Sequence, residues 1–451
     1  MSSSSAAAVA PSELHVCLGD VETILPSSPT ELTSLYLSQI DQRVAYIVET
    51  VFFYPAPSTR AADRHDVVRK LRQDLSDILV PYHFMSGRLA ASEEGGLQID
   101  CNRKGALFAS ASSELALDEL GDLTYPNPAF RNLVLQAPKG DKMADNPLFM
   151  MQVTVFRCAG FCIGFSMNHA VFDGYGAFEF LRNFSSLARG EGLVVEPKPD
   201  RTMLKPRNPP QISLEHPEYL KLTEVPKDSS FTTSDIADLD FAAIQLSQKH
   251  VFKVFPFSGD MLNRLKNVAM SDASLQKCSS FDAIAAHVWQ SRTKALGMRP
   301  LAPSKMLYAV DIRSRLHPPL PKGFAGNAIM SGFVCLPAET LQKETLSYAV
   351  RKVQEATDKI TDEYVRSSLD WGATYGGVPN LPGGICLSAW WKLPFHLVDF
   401  GWGRPNYAGP VMNGLVEFVL LLSNGTSEGL NIFIALEPDQ MQEFEKIIYS
   451  F

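Results

Sequence analysis

The sequence predicts a mixed α/β protein in two parts with a cleft between them. Length is the first reason, since 451 residues exceed what one ordinary hydrophobic core organises. The second is pattern: strand-like and helix-like stretches alternate in both halves, without a fixed-period repeat. The third is a change of texture from Glu191 to about Phe231, where prolines recur and no periodicity is sustained. Proline removes a backbone donor and fixes φ, so this stretch cannot run through a sheet or a helix. A loop of that length inside one compact domain is uncommon, and it reads as an extended crossover. The expected boundaries are a tail at 1–12, an N-terminal domain at 13–190, the crossover at 191–231 and a C-terminal domain at 232–451.

The elements follow in order. "AYIVETVFFY" (Ala45 to Tyr54) is rich in β-branched and aromatic residues and reads as a strand. In "RHDVVRKLRQDLSDIL", Val68, Leu71, Leu75 and Ile78 recur at helix spacing. "FMMQVTVFRC" and "FCIGFSMNHA" read as paired strands separated by Ala159-Gly160. "AFEFLRNFSSLARG" places Phe178, Leu181, Phe184 and Leu187 on one helical stripe that stops at Gly190. In the second half "SGDMLNRLKNVAM" and "SSFDAIAAHVWQSRTKAL" are helices, the latter capped by Ser279 or Ser280. "KMLYAVDIR" is a strand, and "LSYAVRKVQEATDKITDEYVRSSLDW" reads as one long helix. "GLVEFVLLLSNGTSEGLNIFIALEP" reads as two strands around an Asn424-Gly425 turn.

Composition narrows the function. Hydrophobic residues make up 45% and charged residues 20%, as in globular proteins. A formal charge of -8 leaves no basic excess to neutralise phosphates, which argues against nucleic acid as a partner. Seven scattered cysteines form no disulfide framework, and the close pair Cys158 and Cys162 has no second pair to complete a zinc site. No metal is expected. "MSSSSAAAVAPS" lacks the basic and apolar regions of a secretory signal. The longest apolar run carries Glu417 and falls short of the roughly 18 residues of a membrane span. The expected setting is a reduced cytoplasm, where the sequons at Asn183 and Asn424 would not be glycosylated.

Chemistry concentrates in "SMNHAVFDGYGAFEF", Ser166 to Phe180. Phe161, Ile163, Phe165 and Met167 alternate along a strand, and His169 is next on that face. A partly buried imidazole near neutral pKa is the usual general base. Gly174 and Gly176 follow at once and permit close backbone approach and unusual φ, as a ligand-contacting turn needs. A satisfied core histidine is the competing reading. Asp173 either orients His169 as a triad aspartate does, or holds the turn through an arginine, and the sharp turn between them favours the second. A serine nucleophile is disfavoured. "GFSMN" misses the elbow pattern, and "GTSEG" matches it only as a string, since Ser427 falls in a hairpin rather than between strand and helix. Phosphate-loop and dinucleotide motifs are absent. A second glycine-and-aromatic turn is "DFGWGRP", Asp399 to Pro405.

"HAVFD" (His169 to Asp173) and "DFGWG" (Asp399 to Gly403) together resemble the two signatures of the plant BAHD acyl-CoA-dependent acyltransferases. The first alone is a weak pattern and the second is specific. "LSQIDQ", "YHFMSGRL", "SSFDAIAAHVWQSRTKAL", "VDIRSRLHPPLP" and "GFAGNAI" are similar to the family in order along nearly the whole chain. His83 and Phe84 depart from its usual proline-leucine pair.

The resemblance implies a chloramphenicol-acetyltransferase-like fold: two similar-sized α/β domains, a long crossover loop and an active-site channel between them. It implies acyl-CoA as co-substrate, with no bound cofactor, a small-molecule or lipid-like acceptor, and a monomer. His169 would take the proton of an acceptor hydroxyl or amine that attacks the thioester, with no acyl-enzyme. In "LSAWW" the Ser388 hydroxyl and Trp390 indole N–H match the positions that supply donors to the oxyanion. Asp173 and Gly174 belong to the structural motif, Asp173 pairing with Arg313. Asp399, Gly401 and Gly403 would lie off the chemistry, shaping the domain interface and the CoA side.

"NHAVFDGYGAFEF" looks closest to the branch moving hydroxycinnamoyl groups (p-coumaroyl, feruloyl or caffeoyl) onto ω-hydroxy fatty acids and fatty alcohols, a phenylpropanoid step toward cutin, suberin or wax. The shikimate- and quinate-using branch keeps an arginine for the acceptor carboxylate. Here that position falls on Tyr375, in the substrate channel, and no arginine lies between Arg366 and Arg404. The alternatives are the same chemistry with shikimate, quinate, a monolignol, a polyamine or a small alcohol, or a non-catalytic CoA-ester-binding member.

Overall fold

The computed structural model describes residues 14–451 apart from 58–63, 94, 126, 137–142, 222, 224–249, 273–274, 412–416 and 427. The expected tail at 1–12, the end of the 191–231 crossover and Ser427 therefore lie outside the described residues. Along the chain the helices are α1 (Gln39–Gln42), α2 (Arg64–Ile78), α3 (Gly174–Ala188), α4 (Gly259–Ala269), α5 (Ser280–Ala295), α6 (Ala338–Lys343), α7 (Leu346–Asp358), α8 (Asp362–Tyr375) and α9 (Pro438–Ile447). The strands are β1 (Cys17–Ile24), β2 (Ser34–Tyr36), β3 (Ile47–Tyr54), β4 (Arg88–Ala91), β5 (Leu97–Asp100), β6 (Ala106–Ser113), β7 (Phe149–Phe156), β8 (Phe161–Asn168), β9 (Tyr219–Leu220), β10 (Val251–Phe257), β11 (Pro303–Asp311), β12 (Ile329–Pro337), β13 (Val378–Pro379), β14 (Ile385–Ala389), β15 (Tyr407–Pro410), β16 (Phe418–Ser423) and β17 (Leu430–Leu436).

These elements form a mixed α/β fold that divides into two compact units. The first runs through Lys205 and takes in Pro321–Asn327 and Leu393–Asn413. Its main sheet has the order β1-β6-β7-β8-β3-β15, antiparallel except for the β6–β7 pair. The second unit holds Pro206–Leu320, Ala328–Lys392 and Gly414–Phe451. Its sheet has the order β10-β17-β16-β14-β11-β12, with β14 parallel to both β16 and β11. The Asp399–Gly403 turn, which chain order puts with the second half, belongs to the first unit, because the strand after it, β15, hydrogen-bonds to β3.

Every residue of β7 and β8 is buried, so both faces of these strands are covered. The alternation that points toward His169 is thus one of two packed faces rather than a core face opposite a wet one. Phe165 lies edge-on to Phe52 at 5.4 Å, and Phe149 edge-on to Phe180 of α3 at 5.4 Å. On the other side, an alanine methyl at Gly164 would overlap the Leu133 carbonyl, so glycine lets the 128–133 turn lie directly on the strand.

The 346–371 pattern is two helices, not one. Lys359–Thr361 breaks it, and the Thr361 hydroxyl accepts the Tyr364 N–H as N-cap of α8. Thr361-Asp362-Glu363 carries that start signal in the sequence. The proline-rich stretch has its own anchors. Lys198 bridges Phe324, while β9 pairs with β13. Asp370 of α8, fully buried, accepts Arg207 N–H, Arg207 Nε and Gln211 N–H.

Candidate active site

His169 sits one residue beyond the end of β8. Its N–H donates to the Tyr46 carbonyl at 2.7 Å, continuing the β3–β8 ladder by one step. The chain then turns tightly: Ala170 N–H donates to Asn168 Oδ1 at 2.9 Å and Val171 N–H to the Asn168 carbonyl at 3.0 Å. Ala170, Val171 and Phe172 are buried, which fixes the turn from below. His169 itself is half-buried, and the Tyr46 ring tilts against the imidazole at 5.4 Å.

Asp173 ends the turn and starts α3. Its Oδ1 accepts the Gly176 N–H at 2.8 Å, a buried N-cap placed where the helix dipole favours an anion. The helix therefore begins at Gly174, three residues earlier than the apolar stripe indicates. This corrects one expectation about the glycines. Neither Gly174 nor Gly176 has positive φ, because both are inside the first helical turn. Close approach is what Gly174 provides, since a Cβ there would stand 2.7 Å from the Leu393 side chain.

Burial holds the proton affinity of His169 below the ordinary histidine value. Its own main-chain carbonyl, the charges of Asp173 and Asp41, and the Asn327 side chain all pull the other way. Yet Nδ1 has no partner with full hydrogen-bond geometry. A ring held below the ordinary histidine pKa is neutral near pH 7 and can accept a proton, which is what a general base needs.

Three residues around this turn were missed as functional residues by sequence reasoning. Asn327 donates its amide to the His169 carbonyl at 2.8 Å, and Arg201, wholly buried, donates to the Val171 carbonyl at 2.9 Å. Both lie against the buried carboxylate of Asp41. Asp41 and Asn327 sit in the "LSQIDQ" and "GFAGNAI" stretches, so two carried a visible signal. Arg201 lies in the proline-rich stretch and carried none.

The other expected site residues fall as follows. Asp399 Oδ1 accepts Gly401 N–H at 2.8 Å and Gly403 N–H at 2.9 Å, and both glycines have strongly positive φ, so the sequence there is a tight turn that needs them. Phe400 packs on Phe184 and Trp402 on Phe161, and Arg189 at the end of α3 donates to the Asp399 carbonyl. Ser388 and Trp390 lie in the second unit, both half-buried, Ser388 in β14 opposite Leu420 and Trp390 in the turn after it. Arg313 and Tyr375 are in that unit too. Arg313 approaches Asp311 at 3.4 Å, and exposed Tyr375 meets Trp371 edge-on and the Lys221 ammonium at 4.8 Å. A cavity of about 550 Å³ lies along α3, lined by Phe178, Arg182, Arg189, Glu191, Leu397 and Val398, without His169. Asn183, a sequon on paper, is fully buried and bonds Tyr82, Val194 and Val195. Among the described residues no His, Cys, Asp and Glu cluster could hold a metal ion, and no helix is long and apolar enough to cross a membrane.

A half-buried imidazole fixed by its backbone at the end of a strand on a mixed α/β scaffold is an arrangement suited to a general base. Comparison with known proteins gives the family. The Transferase family model matches residues 14–450, and the chain belongs to that family, the BAHD acyltransferases. It is 36% identical to Acyltransferase GLAUCE of Arabidopsis thaliana, over 96% of this chain and 95% of that one. It is 34% identical to omega-hydroxypalmitate O-feruloyl transferase of the same plant, over 94% and 90%, and 33% identical to its fatty alcohol:caffeoyl-CoA acyltransferase, over 97% and 98%. Among solved structures, vinorine synthase superposes with a TM-score of 0.73 at 22% identity, covering 95% of this chain and 96% of that one. Fusarium graminearum TRI101, solved with coenzyme A and T-2 mycotoxin, gives 0.74 at 15% identity, covering 92% and 97%. The chain is therefore an acyl-CoA-dependent O-acyltransferase with the chloramphenicol-acetyltransferase-like fold.

Proposed function

We propose that this enzyme moves a hydroxycinnamoyl group from CoA to the hydroxyl of a long-chain ω-hydroxy acid or fatty alcohol, with His169 as general base. The observation that carries the mechanism is the imidazole at the end of β8: half-buried, held below the ordinary histidine pKa by burial, and fixed through the His169 carbonyl and N–H. His169 takes the acceptor proton as the oxygen attacks the thioester carbonyl. In this reading the Ser388 hydroxyl and Trp390 indole N–H receive the developing oxyanion, and collapse expels the CoA thiolate, with no acyl-enzyme. Asp173 holds the turn as N-cap of α3, and the Asp399 turn braces the end of that helix. The acceptor class is supported by the names of the two relatives that act on ω-hydroxypalmitate and a fatty alcohol, each matched nearly end to end. A monomer working in the cytoplasm accompanies this reading.

The test is thiol release by the purified protein from p-coumaroyl-, feruloyl- and caffeoyl-CoA, with product masses recorded. The parallel acceptors are ω-hydroxypalmitate, a long-chain alcohol, shikimate and spermidine. Esters with the long-chain acceptors alone would support both donor and acceptor. Turnover with shikimate, the acceptor named for a 32% identical tobacco relative, would keep the chemistry and overturn the acceptor. Binding of CoA esters without turnover would overturn the catalytic reading.

A further inference from the structure

We propose that Asp41 is a positioning residue for His169: its buried carboxylate orients Asn327 and Arg201, whose donors grip the backbone carbonyls on both sides of the turn that carries the imidazole. The inference rests on His169 being the general base. Asp41 is fully buried in α1 and its two oxygens are saturated. Oδ2 accepts Ser38 N–H at 2.8 Å and the Ser38 hydroxyl at 2.6 Å, while Oδ1 accepts Asn327 N–H and Asn327 Nδ2, each at 2.9 Å. Arg201 Nε stands 3.5 Å from Oδ2, an ion pair without full hydrogen-bond geometry.

The geometry beyond the carboxylate is what makes this a clamp rather than a stray buried pair. Asn327 Nδ2 has two hydrogens; one goes to Asp41 Oδ1 and the other to the His169 carbonyl. That sets the flip of the amide. Its oxygen is then left without a full hydrogen bond, as is His169 Nδ1, and the Asn327 side chain favours the protonated ring. Arg201 spends one amino group on the Pro199 carbonyl and the other on the Val171 carbonyl. Gly326 allows this approach, since a Cβ there would come within 2.9 Å of Arg201 Nε. Residues 169 and 171 are thus fixed by two donors that share one anchor.

A buried carboxylate that served only stability would not need to reach the imidazole's own peptide. Here it does so in one step, through Asn327. A base displaced by about 1 Å loses about 10²-fold in rate, and Asp41 governs that displacement. The charged groups acting on the ring are Asp173 and Asp41, the latter with Arg201 beside it.

The experiment uses the full-length enzyme with Asp41→Asn and Asn327→Leu. Asp41→Asn leaves Arg201 buried without its anion and is prone to misfold; Asn327→Leu keeps the Asp41–Arg201 pair and decides the matter in that event. The expected result for a folded variant is a kcat lower by about 10²-fold, with KM for acyl-CoA within about twofold. The second readout is the ¹⁵N titration of the His169 ring, assigned with His169→Gln. It should move to lower pH in both variants, since each removes a group that favours the protonated ring. Folded variants with unchanged kcat and an unmoved His169 titration would overturn the proposal. His169→Ala with full activity would instead overturn the base assignment, while the ring titrations would still report whether Asp41 and Asn327 act on that imidazole.

Discussion

Replacing Asp173 tests whether it holds the turn while His169, the proposed base, does the chemistry. Its carboxylate is 2% exposed and accepts the Gly176 N–H as N-cap of α3. Truncating an N-cap to alanine costs about 0.5–2 kcal/mol, and burial of the unpaired N–H puts this site near about 2 kcal/mol. Asparagine keeps an acceptor at the same reach, and the interaction of the charge with the helix terminus that it gives up is worth about 1 kcal/mol. A domain of 150–250 residues shifts by about 2–4 °C per kcal/mol. Asp173→Ala should therefore melt about 4–8 °C lower and Asp173→Asn about 2–4 °C lower. Turnover per folded molecule should stay within about tenfold of wild type, since neither change removes the proposed base. His169→Ala should do the opposite, with kcat lower by about 10²–10⁴-fold and little change in melting. Differential scanning fluorimetry beside a thiol-release assay reads both. An Asp173→Asn enzyme that melts like wild type but does not turn over would refute the structural assignment.

Other expectations follow from the same structure. Because burial lowers the His169 pKa, the acid limb of kcat/KM should be centred below the ordinary histidine value of 6.5; an acid limb centred above 7 would contradict this. Asp370→Ala removes one of the two carboxylates that hold Arg207 and the acceptor of the Arg207 and Gln211 amides. It should cost about 3 kcal/mol, the lower end of the range for a broken buried pair, because Arg207 keeps Glu363. Limited proteolysis between Arg207 and Leu220 should accelerate with it. Gly164→Ala pushes a methyl into the Leu133 carbonyl and should lower stability by about 3 kcal/mol, the upper end for overpacking, with yield and melting temperature as the check.

Local chemistry was enough to mark several elements and to single out the proposed base. Apolar spacing gave α2 and α3, paired β-branched and aromatic runs gave β7 and β8, and Ser279 was readable as the cap of α5. His169 stood out because a titratable ring at the end of an all-apolar strand needs a reason to be there, and "DFGWG" because alternating glycines and aromatics mark a turn with unusual φ. What local pattern misled about was also local in origin: the Thr361 cap was overrun by a helix-like stripe on both sides, and the start of α3 was set by the Asp173 side chain rather than by apolar spacing.

Tertiary structure decided what no window of sequence contains. The strand after Asp399 hydrogen-bonds to β3, so a turn from late in the chain is built into the first unit. Asp41, Arg201 and Asn327 meet around one carboxylate, because only the folded chain brings their donors to a common acceptor. The sequence by itself singled out the side chain proposed to accept the proton. The fold decided how firmly that side chain is held, since hydrogen bonds to a backbone carbonyl depend on where distant residues end up and leave no periodicity behind.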